Sequence, residues 1–298
     1  MTAFVLLGDV MMDVTATVAG PIAPGSDTAA RITLQPGGSA ANTARWLAWS
    51  GQQSRLIGCT GDDELGRLAR DALSRDGVVP LLATRASSRT GTCVVIVDPA
   101  GERTMLPDSG ANALLDTGDL PAHAFTANGH LHLSGYTLLR PSTRQVGLVA
   151  CRLAREAGMT ISLDASSAAP IRHQPDAFDE AYACVDLLVA NAEEAMVLTG
   201  SSTTEAAIEH LVHRVPAVVV KLGSAGAIGT TGPVVHRAPA LAERAVDTTG
   251  AGDAFAAGLL GAWVAGAGLD LAPARGNELA AIAVNRVGAG PPADQAQE

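Results

Sequence analysis

Lysine is all but missing from this chain: Lys221 is its single example. That scarcity removes the nucleotide-binding P-loop at once, because the motif needs Gly-Lys-Ser/Thr and Lys221 stands in AVVVKLG with Leu behind it. Basic residues in total number 20 against 30 acidic ones, and the net charge of −10 excludes a nucleic-acid footprint, which needs a basic face against phosphates. The cysteines Cys59, Cys93, Cys151 and Cys184 are too scattered for a zinc spacing or a disulfide framework, and read as reduced packing residues. Long apolar runs are also lacking. The longest tract free of Asp, Glu, Lys, Arg and His, Ala254 to Leu269, is shorter than a membrane span and rich in Gly and Ala. The N-terminus MTAFVLLGDVMMD has no basic leader region and meets Asp9 early, so it reads as a first strand and not as a signal peptide. A soluble, cytoplasmic protein with a small-molecule partner is expected, with neither nucleic acid nor membrane.

What is present is the composition of a globular domain, 47% hydrophobic and 17% charged, in a chain of 298 residues that suits one large α/β domain over 1–298 with a small appendage. Short apolar runs (FVLLG, RLIGC, HLHLSG, TISLD, DLLVAN, AVVVKLG) alternate with amphipathic stretches at Ser39 to Trp49, Glu64 to Arg75, Ser142 to Glu156 and Thr203 to His213. This alternation predicts an α/β fold: a doubly wound, mostly parallel central sheet with helices on both faces and ligands at its carboxyl edge. Two places break the rhythm. Val14 to Val18 and Ala30 to Gln35 flank a Pro/Gly loop, and Gly91 to Pro107 reads as two strands about a Pro-Ala-Gly turn. Segments 14–35 and 78–107 are therefore expected to form a small antiparallel sheet projecting from the domain, either a lid or a simple edge extension. The end, PPADQAQE, reads as a frayed tail.

The stretch DTTGAGDAFAAG, 247–258, carries the chemistry. Asp253 in a first helical turn is a good cap on its own. The two glycines before it require more, because they give up backbone order and allow something to approach the main chain closely. A dinucleotide fingerprint fails, since Phe255 stands where its third glycine belongs and the segment lies far from the first strand. What remains is a helix N-terminus whose free amides can hold an anion beside a carboxylate that can take a proton from a hydroxyl. That is a minimal kit for phosphoryl transfer to an alcohol.

DTTGAGDAFAAG resembles the C-terminal signature of the ribokinase-like (PfkB) carbohydrate kinases, and PGGSAANTARWLAWSG, 36–51, resembles their N-terminal one. The order of the two motifs and the layout of nearly the whole chain match that family. The resemblance implies a ribokinase-like fold with a lid and an ATP-dependent kinase acting on a sugar hydroxyl. It implies Asp253 as catalytic base and the amides of Gly250, Ala251 and Gly252 as anion hole. Asp13 and Asn42 would bind sugar hydroxyls, with the backbone at Gly37 and Gly38 against the sugar. Asn191 and Glu194 resemble an Asn-x-x-Glu element that organises Mg2+ through water. KLGSAG, with Lys221, Gly223 and Gly226, would line the nucleotide, and Asn285 would flank the adenine. Asp247 and Thr249 resemble positions that hold a monovalent cation, K+. A homodimer through the lid is implied as well.

Each residue also has a plain structural reading. Asp13 can end a strand in a turn, Asn42 can bond locally within a helix, Glu194 and Thr249 can be caps, and Arg103 on the lid reads as a solvated strand residue before a substrate contact. For the acceptor alcohol, Ser39 stands where ribokinases proper usually carry Lys, which favours a small unphosphorylated sugar over a phosphosugar. The lid strands hold no Phe, Tyr or Trp on which a nucleoside base would stack, leaving Tyr136 as the nearest candidate for a nucleoside kinase. LDASSAAP lacks the Asn and Arg often seen in ketodeoxygluconate-type sugar acid kinases, with Arg103 the evident partner for an acid. A catalytically silent sugar-sensing protein is the alternative of a different class, opposed by the retained carboxylate and glycine turn.

Overall fold

The computed structural model describes residues 2–99, 102–242 and 245–292. Its strands are β1 (Ala3–Leu7), β2 (Met11–Val18), β3 (Ala30–Gly37), β4 (Gln53–Gly61), β5 (Val78–Arg85), β6 (Gly91–Val97), β7 (Arg103–Asp108), β8 (His130–Ser134), β9 (Thr160–Asp164), β10 (Leu187–Asn191), β11 (Ala217–Lys221), β12 (Ala227–Thr230) and β13 (Val235–Ala238). They form a nine-stranded sheet in the order β13-β12-β11-β10-β9-β8-β1-β4-β5 and a four-stranded sheet in the order β3-β2-β6-β7. From β5 to β11 every neighbouring pair in the large sheet is parallel, and β12 and β13 close it with antiparallel pairs.

The apolar runs are continuous because helices cover both faces of the sheet. In β1, Val5 and Leu7 join one buried cluster while Phe4 and Leu6 join the other, and all four are almost fully buried. The helix Ser39–Trp49 packs on the second face through Ala40, Ala44, Trp46 and Leu47, alongside Phe255, Leu259 and Leu260 of the helix Ala251–Val264. The first face is filled from the other side by Val146, Ala150 and Ala154 of the helix Pro141–Glu156.

The two irregular segments build the small sheet, with two differences from expectation. Val78–Arg85 belongs to the large sheet, where it pairs in parallel with β4 after the helix Glu64–Arg75, so only Gly91–Asp108 of that stretch enters the small one. The small sheet is also not wholly antiparallel. Its central pair β2 and β6 is parallel, because the chain passes through β4, a helix and β5 before it returns. The Pro-Ala-Gly turn lies partly, and the expected tail mostly, outside the described residues.

In the small sheet, register puts Asp13, Gln35, Cys93 and Arg103 on one face. Leu34, Val14, Val94 and Leu106 form a row on the other. On the large sheet, the last residues of β8 to β11 are Ser134, Asp164, Asn191 and Lys221, all polar at the ends of apolar strands. A strand buried on both faces presents polar side chains at low cost only where it ends, so the carboxyl edge collects them.

Candidate active site

Gly250 takes φ 73° and ends the 247–249 turn as the N-cap of the helix Ala251–Val264. A left-handed backbone there would strain any residue with a Cβ, and a Cβ would also lie 2.6 Å from Ala289 Cα. Of the three amides expected to hold an anion, that of Ala251 donates to the Thr248 carbonyl at 3.2 Å. The amides of Gly250 and Gly252 have no acceptor among the described residues, as is usual in a first helical turn. Two of the three amides expected to form an anion hole thus lack an internal acceptor among the described residues, and the Asp253 amide adjoins them.

The Asp253 carboxylate receives Ser39 Oγ on Oδ1 at 2.7 Å and Asn42 Nδ2 on Oδ2 at 3.0 Å. Both donors come from the start of the helix Ser39–Trp49, so the two glycine motifs meet at this one carboxylate. Burial pushes its pKa up to about 7, the proximity of Asp164 adding to the effect and the two hydrogen bonds and Lys221 working against it. The Oδ1 of Asn42 is buried with no partner. An orphaned buried acceptor is costly, and a ligand hydroxyl would satisfy it. Asp13 sits on β2 opposite Gln35 of β3, its pKa pushed up to about 6 by burial. A Cβ on Gly37 would lie 2.3 Å from its carboxylate, so glycine leaves room for Asp13. Gly38 is the N-cap of the Ser39–Trp49 helix.

Lys221 Nζ pairs with Asp164 Oδ2 at 3.0 Å, and lies 3.3 Å from where a Cβ on Gly252 would be. The one lysine of the chain thus stands beside the Gly250–Gly252 turn. Burial opposes its charge, but Asp164, Glu194 and Asp253 outweigh that and hold its pKa above the usual lysine range. Asn191 and Glu194 form a reciprocal capping box: Glu194 N donates to Asn191 Oδ1 at 2.8 Å, and Asn191 N and Nδ2 donate to the two carboxylate oxygens at 2.7 Å each. Burial raises the pKa of Glu194, with Lys221 opposing. Tyr136 lies in the electrostatic reach of Asp253, Glu194 and Asp9, and burial pushes its phenol up to about 12.

Other expected residues stand apart from this cluster. Gly223 and Gly226 bound the turn between β11 and β12, and Asn285 caps the helix Ala272–Val284 by donating Nδ2 to the Ala281 carbonyl at 2.8 Å. Arg103 is neither a solvated strand residue nor free for a substrate: Nη2 meets Asp247 Oδ1 at 2.5 Å and Nη1 meets Thr248 Oγ1 at 2.9 Å. Asp247 also accepts the amides of Thr249 and Gly288 at 2.6 and 3.0 Å. Sequence reasoning missed Ser39 as a donor to Asp253, Asp164 as the partner of Lys221, and the pair in which Arg140 Nη1 and Nη2 reach the two oxygens of Asp9 at 3.1 and 2.7 Å. For Asp164 a signal existed, since it closes a buried strand as Asn191 and Lys221 do.

Comparison with known proteins agrees with this layout. A family model described as pfkB family carbohydrate kinase matches residues 1–296. The chain is 34% identical to a fructokinase of Klebsiella pneumoniae over 78% of both chains. It is 35% identical to an ATP-dependent ribose-1-phosphate kinase of Halopiger xanaduensis, over 89% of this chain and 87% of that one. The structure of an aminoimidazole riboside kinase from Salmonella enterica, complexed with aminoimidazole riboside and an ATP analog, superposes with a TM-score of 0.81 at 28% identity, covering 96% and 95% of the two chains. No helix among the described residues is long and apolar enough to cross a membrane.

Proposed function

This chain belongs to the pfkB family of carbohydrate kinases and is an ATP-dependent sugar kinase, and from that premise we propose that it phosphorylates a small neutral sugar with Asp253 as base. The acceptor hydroxyl lies against Asp253, which takes its proton as the oxygen attacks the γ-phosphorus and ADP leaves. A carboxylate whose pKa stands near 7 suits that task, being mostly ionised just above neutrality yet basic enough to accept the proton. Developing charge on the transferring phosphoryl group faces the amides of Gly252 and Gly250, with Lys221 beside them.

The observation that carries the neutral substrate is the pairing of each cation that the described residues bring to the site. Lys221 is held by Asp164, Arg140 by Asp9 and Arg103 by Asp247. A sugar phosphate or sugar acid would meet Asp13 and Asp253 with no uncommitted cation among the described residues to receive it. A polyol instead supplies hydroxyl donors to Asp13 and to the orphaned Asn42 Oδ1. Ser39, in place of a lysine, steadies the base. The fructokinase relative is compatible with this choice, whereas the ribose-1-phosphate kinase relative marks the rival.

Glu194, whose oxygens each accept one bond from Asn191 and keep further lone pairs, is assigned to Mg2+ through water. Bound there, the ion would neutralise phosphate charge. The turn Gly223 to Gly226 and Asn285 are assigned to the nucleotide. The small sheet acts as a lid whose Asp13 face looks onto the sugar. Its outer row, with Leu34 47% and Leu106 54% exposed, is assigned to a second copy of the chain.

ADP release from ATP and magnesium across neutral sugars, sugar phosphates, sugar acids and nucleosides tests the reading. Turnover is expected to be highest with a neutral sugar. Turnover confined to phosphorylated or acidic acceptors would overturn it, and tight sugar binding with no ADP from any acceptor would make the protein a sensor.

A further inference from the structure

We propose that Arg103 is a built-in cation for the anion-hole turn: its guanidinium fills the place at Asp247 that a monovalent metal ion would take, and ties formation of that turn to seating of the small sheet. Arg103 is thereby a positioning residue that acts through Asp247.

The carboxylate of Asp247 is closely engaged. Oδ1 receives Arg103 Nη2 at 2.5 Å and the Thr249 amide at 2.6 Å, and Oδ2 receives the Gly288 amide at 3.0 Å. Three of its roughly four lone-pair sites are thus taken, both of those on Oδ1, and a metal ion would meet the like charge of the guanidinium already seated there. With Arg103 in place the residues therefore fit the K+ expected at Asp247 and Thr249 poorly, and the positive charge is supplied by protein. Asp247 is the hub of two loops. It fixes Thr249, immediately before Gly250, and Gly288, next to Ala289, against which Gly250 packs. Its own amide and that of Val246 donate to the Val284 carbonyl, at 3.1 and 2.7 Å.

Arg103 reaches this hub from a different sheet, 144 residues away in sequence. A second side chain of that sheet arrives at the same place: a Cβ on Gly288 would lie 2.4 Å from Gln35 Oε1. Gln35 and Arg103 share the sheet face that carries Asp13. One rigid-body seating of the small sheet thus delivers a sugar ligand to the cleft and a cation to the anion-hole hub together. A mobile metal ion would supply the charge without that link.

The proposal rests on the anion-hole reading above, and two readouts separate their failures. The first is kcat in buffers whose only monovalent cation is choline, compared with added K+, Na+ or Cs+. Wild-type kcat is expected to be insensitive to the ion, while Arg103→Ala lowers kcat by about 10- to 100-fold, as misplacement of a reacting group does, and added K+ recovers most of the loss. Arg103→Lys is expected to fall between them. The second readout needs no turnover: K+ against choline should raise the melting temperature of Arg103→Ala and leave the wild type unmoved, since only the variant has a site to fill. Strong K+ activation of the wild type, or an Arg103→Ala protein with unaltered kcat and no K+ response in melting, would overturn the proposal. If Asp253→Asn retained activity while the melting pattern held, the catalytic reading alone would fall.

Discussion

Ser39 Oγ and Asp253 Oδ1 lie 2.7 Å apart although 214 residues separate them in the chain. The contact joins the first turns of two helices, each entered through glycine, and gives the proposed base a donor that stabilises its ionised form. With Asn42 on the other oxygen, it opposes the burial that would otherwise push the carboxyl higher.

Removing that donor has a signed consequence. Asp253 works ionised, so kcat/KM should fall as pH drops through about 7. Ser39→Ala withdraws stabilisation from the charged form alone, and the acid limb of the kcat/KM profile should move to higher pH. A limb that stays put or moves down would remove Ser39 from the base.

Asp253→Asn is expected to lower kcat by ~10²- to 10⁴-fold while sugar affinity changes little. The same variant should be more stable than the wild type. A carboxyl raised from 3.8 to about 7 contributes stability that is present below 3.8 and lost as pH rises through 7. The stability advantage of Asp253→Asn, read in chemical denaturation, should therefore widen from pH 4 to 7 and then level, at on the order of 2 kcal/mol because the side chain keeps some solvent. The new amide can donate to Ser39 Oγ, since a hydroxyl also accepts, while its oxygen keeps the bond from Asn42 Nδ2, so Asn42 Oδ1 stays available to the sugar. A constant difference across pH would show that burial does not tax this carboxylate.

Lys221→Met keeps the stem of the side chain and deletes its charge. It leaves Asp164, at 9% side-chain exposure, without its cation, and destabilisation of about 3–5 kcal/mol is expected in chemical denaturation. The double variant Lys221→Met with Asp164→Leu should recover much of it. If the single variant is neutral, the pair is not buried in the sense used here.

The outer row of the small sheet predicts assembly. Leu106→Glu places a charge at the end of an apolar row that includes Leu34 and Val94, so sedimentation should show dissociation of a dimer into monomers. A wild-type protein that sediments as a monomer at micromolar concentration would end that assignment.

The large sheet was legible because its information is local. Runs such as FVLL and AVVV are apolar at every position only when both faces are covered, and Asp253 with its glycines announces a functional helix start within a dozen residues. The capping box of Asn191 and Glu194 was equally readable at a spacing of three. Val78–Arg85 was misplaced because an edge strand and a lid strand share one composition, and only pairing with β4 distinguishes them. Arg103 was misread for a related reason: an arginine on an exposed strand looks solvated until the opposite loop is known.

By itself the sequence determined the class of fold, the glycine turns and the identity of the proposed base, all of which depend on side-chain type, period and neighbours a few residues away. The tertiary structure alone decided who meets whom: Ser39 with Asp253, Lys221 with Asp164, and Arg103 with Asp247. Those pairings set the charge of the base and of the pocket. They come from the crossing of separate elements over long loops, which no local pattern encodes because electrostatic partners are chosen by distance in space.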